Sequence, residues 1–168
     1  MAQLTRGDVE RLIQERQARG SPDLYLKGID LSGVDLSGLD LHHARLRQAK
    51  LHGADLREVN LSGADLVEAD LSLCDLRQAD LYSANLTGAD LTGANLTFAH
   101  LAQTNFTAAL VCEANLTFAD ARRANFTLAD LGRSNLREAK LQGAILDQAD
   151  LTGAKLQGAI MPDGSKHD

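Results

Sequence analysis

The residues of this chain that could carry chemistry are three neighbouring histidines, two cysteines and a long series of carboxylates. His42, His43 and His52 raise the question of zinc, which needs ligands converging on one point. The carboxylates raise general acid–base catalysis, which needs two groups held in one cleft. Serines and threonines are frequent, but no histidine is spaced to serve any one of them as a base. No glycine-rich phosphate loop leads into a helical pattern. Each case turns on where the backbone places these side chains, and a repeat decides that.

Leu or a close substitute stands at every fifth residue from Leu26 to Met161, twenty-eight positions in phase. The substitutes are Phe106, Val111, Ala121, Phe126 and Met161. With this residue as i, position i−2 opens with Leu24, Ile29, Val34 and Leu39 and then settles to Ala, with Cys74, Thr104 and Ser134 as small departures. Position i−1 is mostly Asp or Asn, and i+1 and i+2 are mostly polar or Gly. On a helix, five residues return at about 140°, so these leucines would circle the axis. On a strand, odd spacing would alternate faces. A coil that bends once per unit, with i and i−2 inside, satisfies the pattern, and successive coils stack at about 4.8 Å.

The unit A-[D/N]-L-x-x over residues 24–161 resembles the pentapeptide-repeat family. The resemblance implies an all-β solenoid, a right-handed quadrilateral (four-sided) β-helix with twenty residues per coil, here just under seven coils. Phe106 and Phe126 are twenty apart, as are Phe98 and Phe118, in keeping with that coil length. Bulky Phe126 is expected to fill space left by Ala121 within the core. The expected division is 1–23 as a short capping α-helix and turn, 24–161 as β-helix and 162–168 as a short tail.

Placed on this frame, the chemical candidates disperse. His42 and His43 share one outer bend and His52 lies further round, so no metal is expected. The carboxylates form outer columns, so the chain is expected not to be an enzyme and to hold no cofactor. Cys74 is inside and Cys112 outside, about two coils or 9–10 Å apart, beyond a disulfide. Aromatics are 4% and Trp is absent, as a narrow interior requires. No stretch approaches the roughly 20 apolar residues of a membrane span. Arg6, Asp8, Glu10 and Arg11 interrupt any secretory core, which points to the cytoplasm, with a lumenal or periplasmic mature form as the alternative.

At the start, Thr5 and Asp8 form a capping-box pattern, Leu4 and Val9 a staple, and Gly20 a stop, predicting a helix over 5–19 that covers the first coil. Ser21-Pro22 begins the turn into that coil. At the far end Met161 keeps the phase and Pro162-Asp163-Gly164 make a turn. Ile145 and Ile160 replace the polar i−1 residue there. Ile145, Ile160 and Met161 are therefore expected at a dimer end, against a monomer whose tail folds over the edge.

The departures from the repeat are where function is expected. Phe98 and Phe118 occupy outward i+2 positions one coil apart, with Leu110 and Leu128 expected in the same region, an apolar patch fit for an unidentified protein partner. Residues 55–90 carry eight acids against two bases, and residues 122–140 five bases, beginning with Arg122 and Arg123, against two acids. The net charge of −6 disfavours direct nucleic-acid binding. The expected function is a non-enzymatic, protein-binding scaffold. Family resemblance implies a second: some members are dimeric rods that mimic DNA, occupy the DNA-binding saddle of DNA gyrase, and inhibit it or protect it from fluoroquinolones. The acidic belt agrees with that role; the basic run and the absence of a C-terminal dimerising helix oppose it. Met161-Pro162-Asp163-Gly164-Ser165 resembles the ends of cyanobacterial members.

Overall fold

The computed structural model describes residues 4–21 and 24–168, in which one helix, α1 (Arg6–Ala18), precedes a solenoid. Parallel bridges run from Tyr25↔Arg45 to Lys140↔Ile160, always between residues twenty apart and always at i−1. Pro22, assigned from sequence to the entry turn, lies outside the described residues.

The unit 94–98 shows why the sequence repeats as it does, because all five of its N–H groups are satisfied. Ala94 donates back to Leu91 O at 2.9 Å, closing the turn. Asn95 donates to Cys74 O (2.9 Å) in the preceding coil, and Leu96 and Phe98 donate to Asn115 O (2.7 Å) and Thr117 O (3.1 Å) in the next. Thr97 N–H has no carbonyl in reach, and Asn95 Oδ1 accepts from it at 3.1 Å. The Asp or Asn at i−1 is thus a structural acceptor, one that closes an Asx turn in unit after unit. Position i+2 is held in the left-handed region. Seventeen non-glycine residues there have φ between 54° and 61°. That conformation costs a side chain about 1–2 kcal/mol, offset here by the bond to the next coil.

Leu110 breaks the Asx pattern, since an apolar side chain offers Cys112 N–H no acceptor. Leu110→Asn is expected to raise stability by about 1 kcal/mol, within the usual range for one net hydrogen bond. A urea midpoint that stays put or falls would contradict the acceptor role assigned to i−1.

Inside, the i residues from Leu31 to Leu141 are buried, and from Ala44 onward the i−2 residues beside them are small, Val59 excepted. Phe106 and Phe126 replace Leu in adjacent coils and stack with centroids 4.8 Å apart and planes within 4°. Both are fully buried, beside Val111 and Ala121, which are smaller than the Leu they replace. The polar interlopers at i−2 are partly accommodated by carbonyls. Thr104 Oγ1 donates to Leu81 O (2.7 Å) and Cys74 Sγ to Leu51 O (2.9 Å). Burial pushes the Cys74 thiol up to about 12, so it is an inert core group. Both cysteines are free.

The helix caps the first coil. Thr5 and Asp8 exchange both capping-box bonds, and α1 runs Arg6–Ala18 within the predicted 5–19. Gly20 (φ +62°) donates to Gln17 O and Ser21 to Arg16 O, a Schellman stop. Val9 and Ile13 are buried in the core cluster that includes Leu24, and Ile29, Val34 and Leu39 pack against it half-buried. Polar bonds lock the same contact. Leu4 N–H donates to Asp30 O (3.1 Å), Arg6 reaches Asp35 and Ser37 O, and buried Arg16 donates to His42 O (3.0 Å) and Asp40 O (3.4 Å).

At the other end the tail turns back on its own chain. Ile160 pairs antiparallel with Lys166, Gly158 donates to His167 O and His167 to Ala159 O, each at 2.8 Å, and Met161 to Ser165 O. The edge at Ile160 and Met161, expected to meet a second subunit, is occupied by the chain's own tail. Leu146, Leu151 and Leu156 are only partly buried, and Ile145 is 45% exposed, so the end stays uncovered along 145–156.

Candidate functional site

Phe98 and Phe118 stack outside the solenoid with centroids 5.0 Å apart and planes within 7°. They remain 57% and 47% exposed, so stacking leaves about half of this apolar surface in water. Both sit at bends, and each is followed by the flat side whose middle residues are Asp80, His100, Asp120 and Lys140. The bend that closes this side carries Arg122 and Arg123. The structure therefore gathers Phe98, Phe118, Arg122 and Arg123 around one side.

Leu110 and Leu128 lie elsewhere. Leu128 is ten residues beyond Phe118, half of a twenty-residue turn, and therefore stands on the far side of the solenoid. Leu110 is eight residues before Phe118, mid-side between Asp90 and Asp130. Both are exposed, at 54% and 45%, but they do not join the phenylalanine patch. Sequence spacing of eight or ten reads as proximity; the coil turns it into separation.

Two residues on the gathered side escaped the sequence reading. Tyr82 lies over His100, centroids 5.6 Å apart and 20° between planes, and His100 Nδ1 is 3.1 Å from Asp80 Oδ1. The signal was available: Tyr82 and Ala102 are the large and small members of one twenty-residue column.

The charged columns are partly self-paired. Arg57 binds Asp55 and approaches Asp75, Arg77 binds Asp75, Arg122 binds Asp120, and Arg133 meets Glu113 at 2.8 Å. Hydrogen bonds from Arg57, Arg77 and Arg122 hold the carboxyls of Asp55, Asp75 and Asp120 below the usual carboxylate range, and Ser37 does the same for Asp35. Their folded pKa lies beneath the unfolded value of about 3.9, so the fold favours the ionised form. That contribution is complete above the unfolded pKa and is lost as pH falls through the folded one. Urea midpoints are expected to be level from pH 7 to about pH 5 and to drop below about pH 4. A midpoint that rises with acid would contradict this.

The histidines bind locally. His42 Nδ1 lies 2.7 Å from Asp40 Oδ1, and His52 Nδ1 2.8 Å from Ser72 Oγ. Among the described residues no three His, Cys, Asp or Glu side chains converge as a metal site, and no helix is long and apolar enough to cross a membrane.

A family model for pentapeptide repeats matches eight copies across residues 25–53, 54–93, 89–127 and 129–163. The chain belongs to the pentapeptide-repeat family. Three solved pentapeptide-repeat structures are similar to it. HetL, involved in heterocyst differentiation regulation in the cyanobacterium Nostoc sp. strain PCC 7120, is 31% identical over 92% of this chain and 98% of its own, with a TM-score of 0.32. QnrB1, a plasmid-mediated fluoroquinolone resistance protein, is 20% identical over 79% of each chain, TM-score 0.41. A protein of the Arabidopsis thaliana thylakoid lumen is 28% identical over 85% of this chain and 72% of its own, TM-score 0.26. No curated protein matches at a comparable level. Family membership accounts for the Leu, Ala and most Asp and Asn columns of the pentapeptide solenoid. It leaves the stacked phenylalanines and the column of Tyr82, Ala102 and Arg122 as features of this chain.

Proposed function

We propose that this pentapeptide-repeat protein is a non-enzymatic scaffold, a right-handed four-sided coil of just under seven turns, that binds a protein partner on the side bounded by Phe98, Phe118, Arg122 and Arg123. The observation that carries the reading is the outward Phe98–Phe118 stack, 5.0 Å between centroids and about half exposed. A solvated aromatic pair beside cationic side chains is the composition enriched at the centres of protein interfaces. A rigid backbone holds it ready, so little ordering entropy is lost on binding. The two free thiols agree with a reducing compartment such as the cytoplasm.

Affinity capture from the native host, with wild type beside Phe98→Ser/Phe118→Ser, tests this. The partner is expected to be lost by the double variant and kept by Leu128→Ser on the far side. Equal capture by all three would sink the reading.

Stacked carboxylates favour a second reading, in which the rod mimics DNA and acts on gyrase. Asp35, Asp55 and Asp75 face one another in successive coils. Arg57 and Arg77 bind within that column and lower its charge. A supercoiling assay with excess protein, with and without a fluoroquinolone, is expected to show neither inhibition nor protection; either effect would favour the mimic. A homodimer would use the open edge along 145–156, and sedimentation as a monomer at high concentration would remove it.

A further inference from the structure

The side bounded by the phenylalanines carries a notch that no consensus position explains. Tyr82, Ala102 and Arg122 occupy one bend position in three successive coils, so Tyr82 and Arg122 stand about 10 Å apart across a single methyl group. The result is an open depression of about 390 Å³. One wall is aromatic, the Tyr82 ring over His100. The other is cationic, from Arg122 and Arg123. Arg122 is engaged by Asp120 at 2.6 Å. The Arg123 side chain makes no ion pair or hydrogen bond among the described residues, and its backbone is fixed at φ 58°, with its N–H donating to Gln142 O at 3.0 Å.

These two walls specify a ligand. The flat aromatic wall takes a planar ring and Arg123 takes a carboxylate. A peptide supplies both within a few residues. The depression is open along the side, and the Phe98–Phe118 stack lies across the same side, so an extended chain can engage both.

We propose that the Ala102 notch docks an acidic, aromatic-bearing segment of the partner, its ring against Tyr82 and His100 and its carboxylate on Arg123. The proposal rests on the reading that this side faces a protein partner.

The test is an NMR titration of the full chain, ¹⁵N-labelled, with a blocked pentapeptide alternating aspartate and tyrosine. Controls replace the aspartates by asparagine or the tyrosines by alanine. Amide shifts are expected at Ser83, Gln103, Arg123 and Gly143. Affinity is expected to fall at least about tenfold with either control peptide, with Arg123→Gln, and with Ala102→Leu, which fills the notch. Raised salt is expected to weaken the acidic peptide alone. Equal binding by the neutral peptide or by Arg123→Gln, shifts confined to another side, or a Kd weaker than about 10 mM would overturn it. Unchanged amide spectra away from the notch verify that both variants fold. If the captured partner still depends on Phe98 and Phe118 but tolerates Ala102→Leu and Arg123→Gln, the notch assignment fails alone. If it ignores the phenylalanines, the parent reading fails.

Discussion

Phe126→Ala is expected to lower the stability of the solenoid by about 3–5 kcal/mol, the range for truncating a buried Phe. The ring is wholly buried and stacked on Phe106 at 4.8 Å, so its loss removes both apolar burial and a packed aromatic contact. The comparison that identifies the cause is Phe126→Leu, which restores the residue used at most other i positions. Beside Ala121 and Val111 a Leu underfills the coil, and about 1–2 kcal/mol is expected to be lost even though the substitution follows the repeat. Adding Ala121→Leu should recover much of that loss, as a positive coupling in a double-mutant cycle. Urea denaturation of the wild type, Phe126→Ala, Phe126→Leu, Ala121→Leu and the double Leu variant measures these changes. A loss below about 1 kcal/mol for Phe126→Ala, or strictly additive effects of the two leucines, would contradict volume compensation.

Arg16→Ala is expected to cost about 2–4 kcal/mol, and the loss should be local. Arg16 is 5% exposed and donates to His42 O and Asp40 O, with the Asp40 carboxylate 3.7 Å away. Charge-assisted bonds of this kind are stronger than neutral ones, and their removal leaves two carbonyls unsatisfied beneath the helix. Because each coil touches only its neighbours, unfolding should spread from the capped end. Hydrogen exchange is therefore expected to quicken across α1 and residues 24–45 while the coils around Leu86 to Leu116 keep their protection. Arg16→Lys keeps the charge without the two-pronged donor and should fall between. Exchange rates unchanged in α1 would show that Val9 and Ile13 alone hold the cap.

The architecture was legible because every unit repeats the same solution. Leu at i, a small residue at i−2 and an acceptor at i−1 are local demands, met within five residues. The helix cap was legible for the same reason, since Thr5, Asp8 and Gly20 act within one turn of the chain. Features that depend on the twenty-residue return were harder to see. Leu128 looks close to Phe118 along the chain and lies half a coil away. Tyr82 and Arg122 look remote and share one column. Arg16 reads as another surface charge, because nothing within α1 says which carbonyls the helix will meet. The seven-residue tail leaves two readings open, a dimer end or a tail folded over the edge, and a hairpin needs only a turn, Pro162 to Gly164, and two or three pairing residues.

Stability explains most of the surface. The Asp and Asn column satisfies a backbone donor in each unit, and left-handed i+2 residues complete the ladder, so neither signals binding. Phe98, Phe118, the Ala102 notch and the unpaired Arg123 are not needed by the coil, and they converge on one side. Hydroxyl-radical footprinting of the solenoid in complex with its captured partner tests that convergence most directly. Protection is expected at Phe98, Phe118 and Tyr82, with Leu128 and Tyr25 oxidised as in the free protein. Protection centred on Leu110 and Leu128, with both phenylalanines still oxidised, would contradict it.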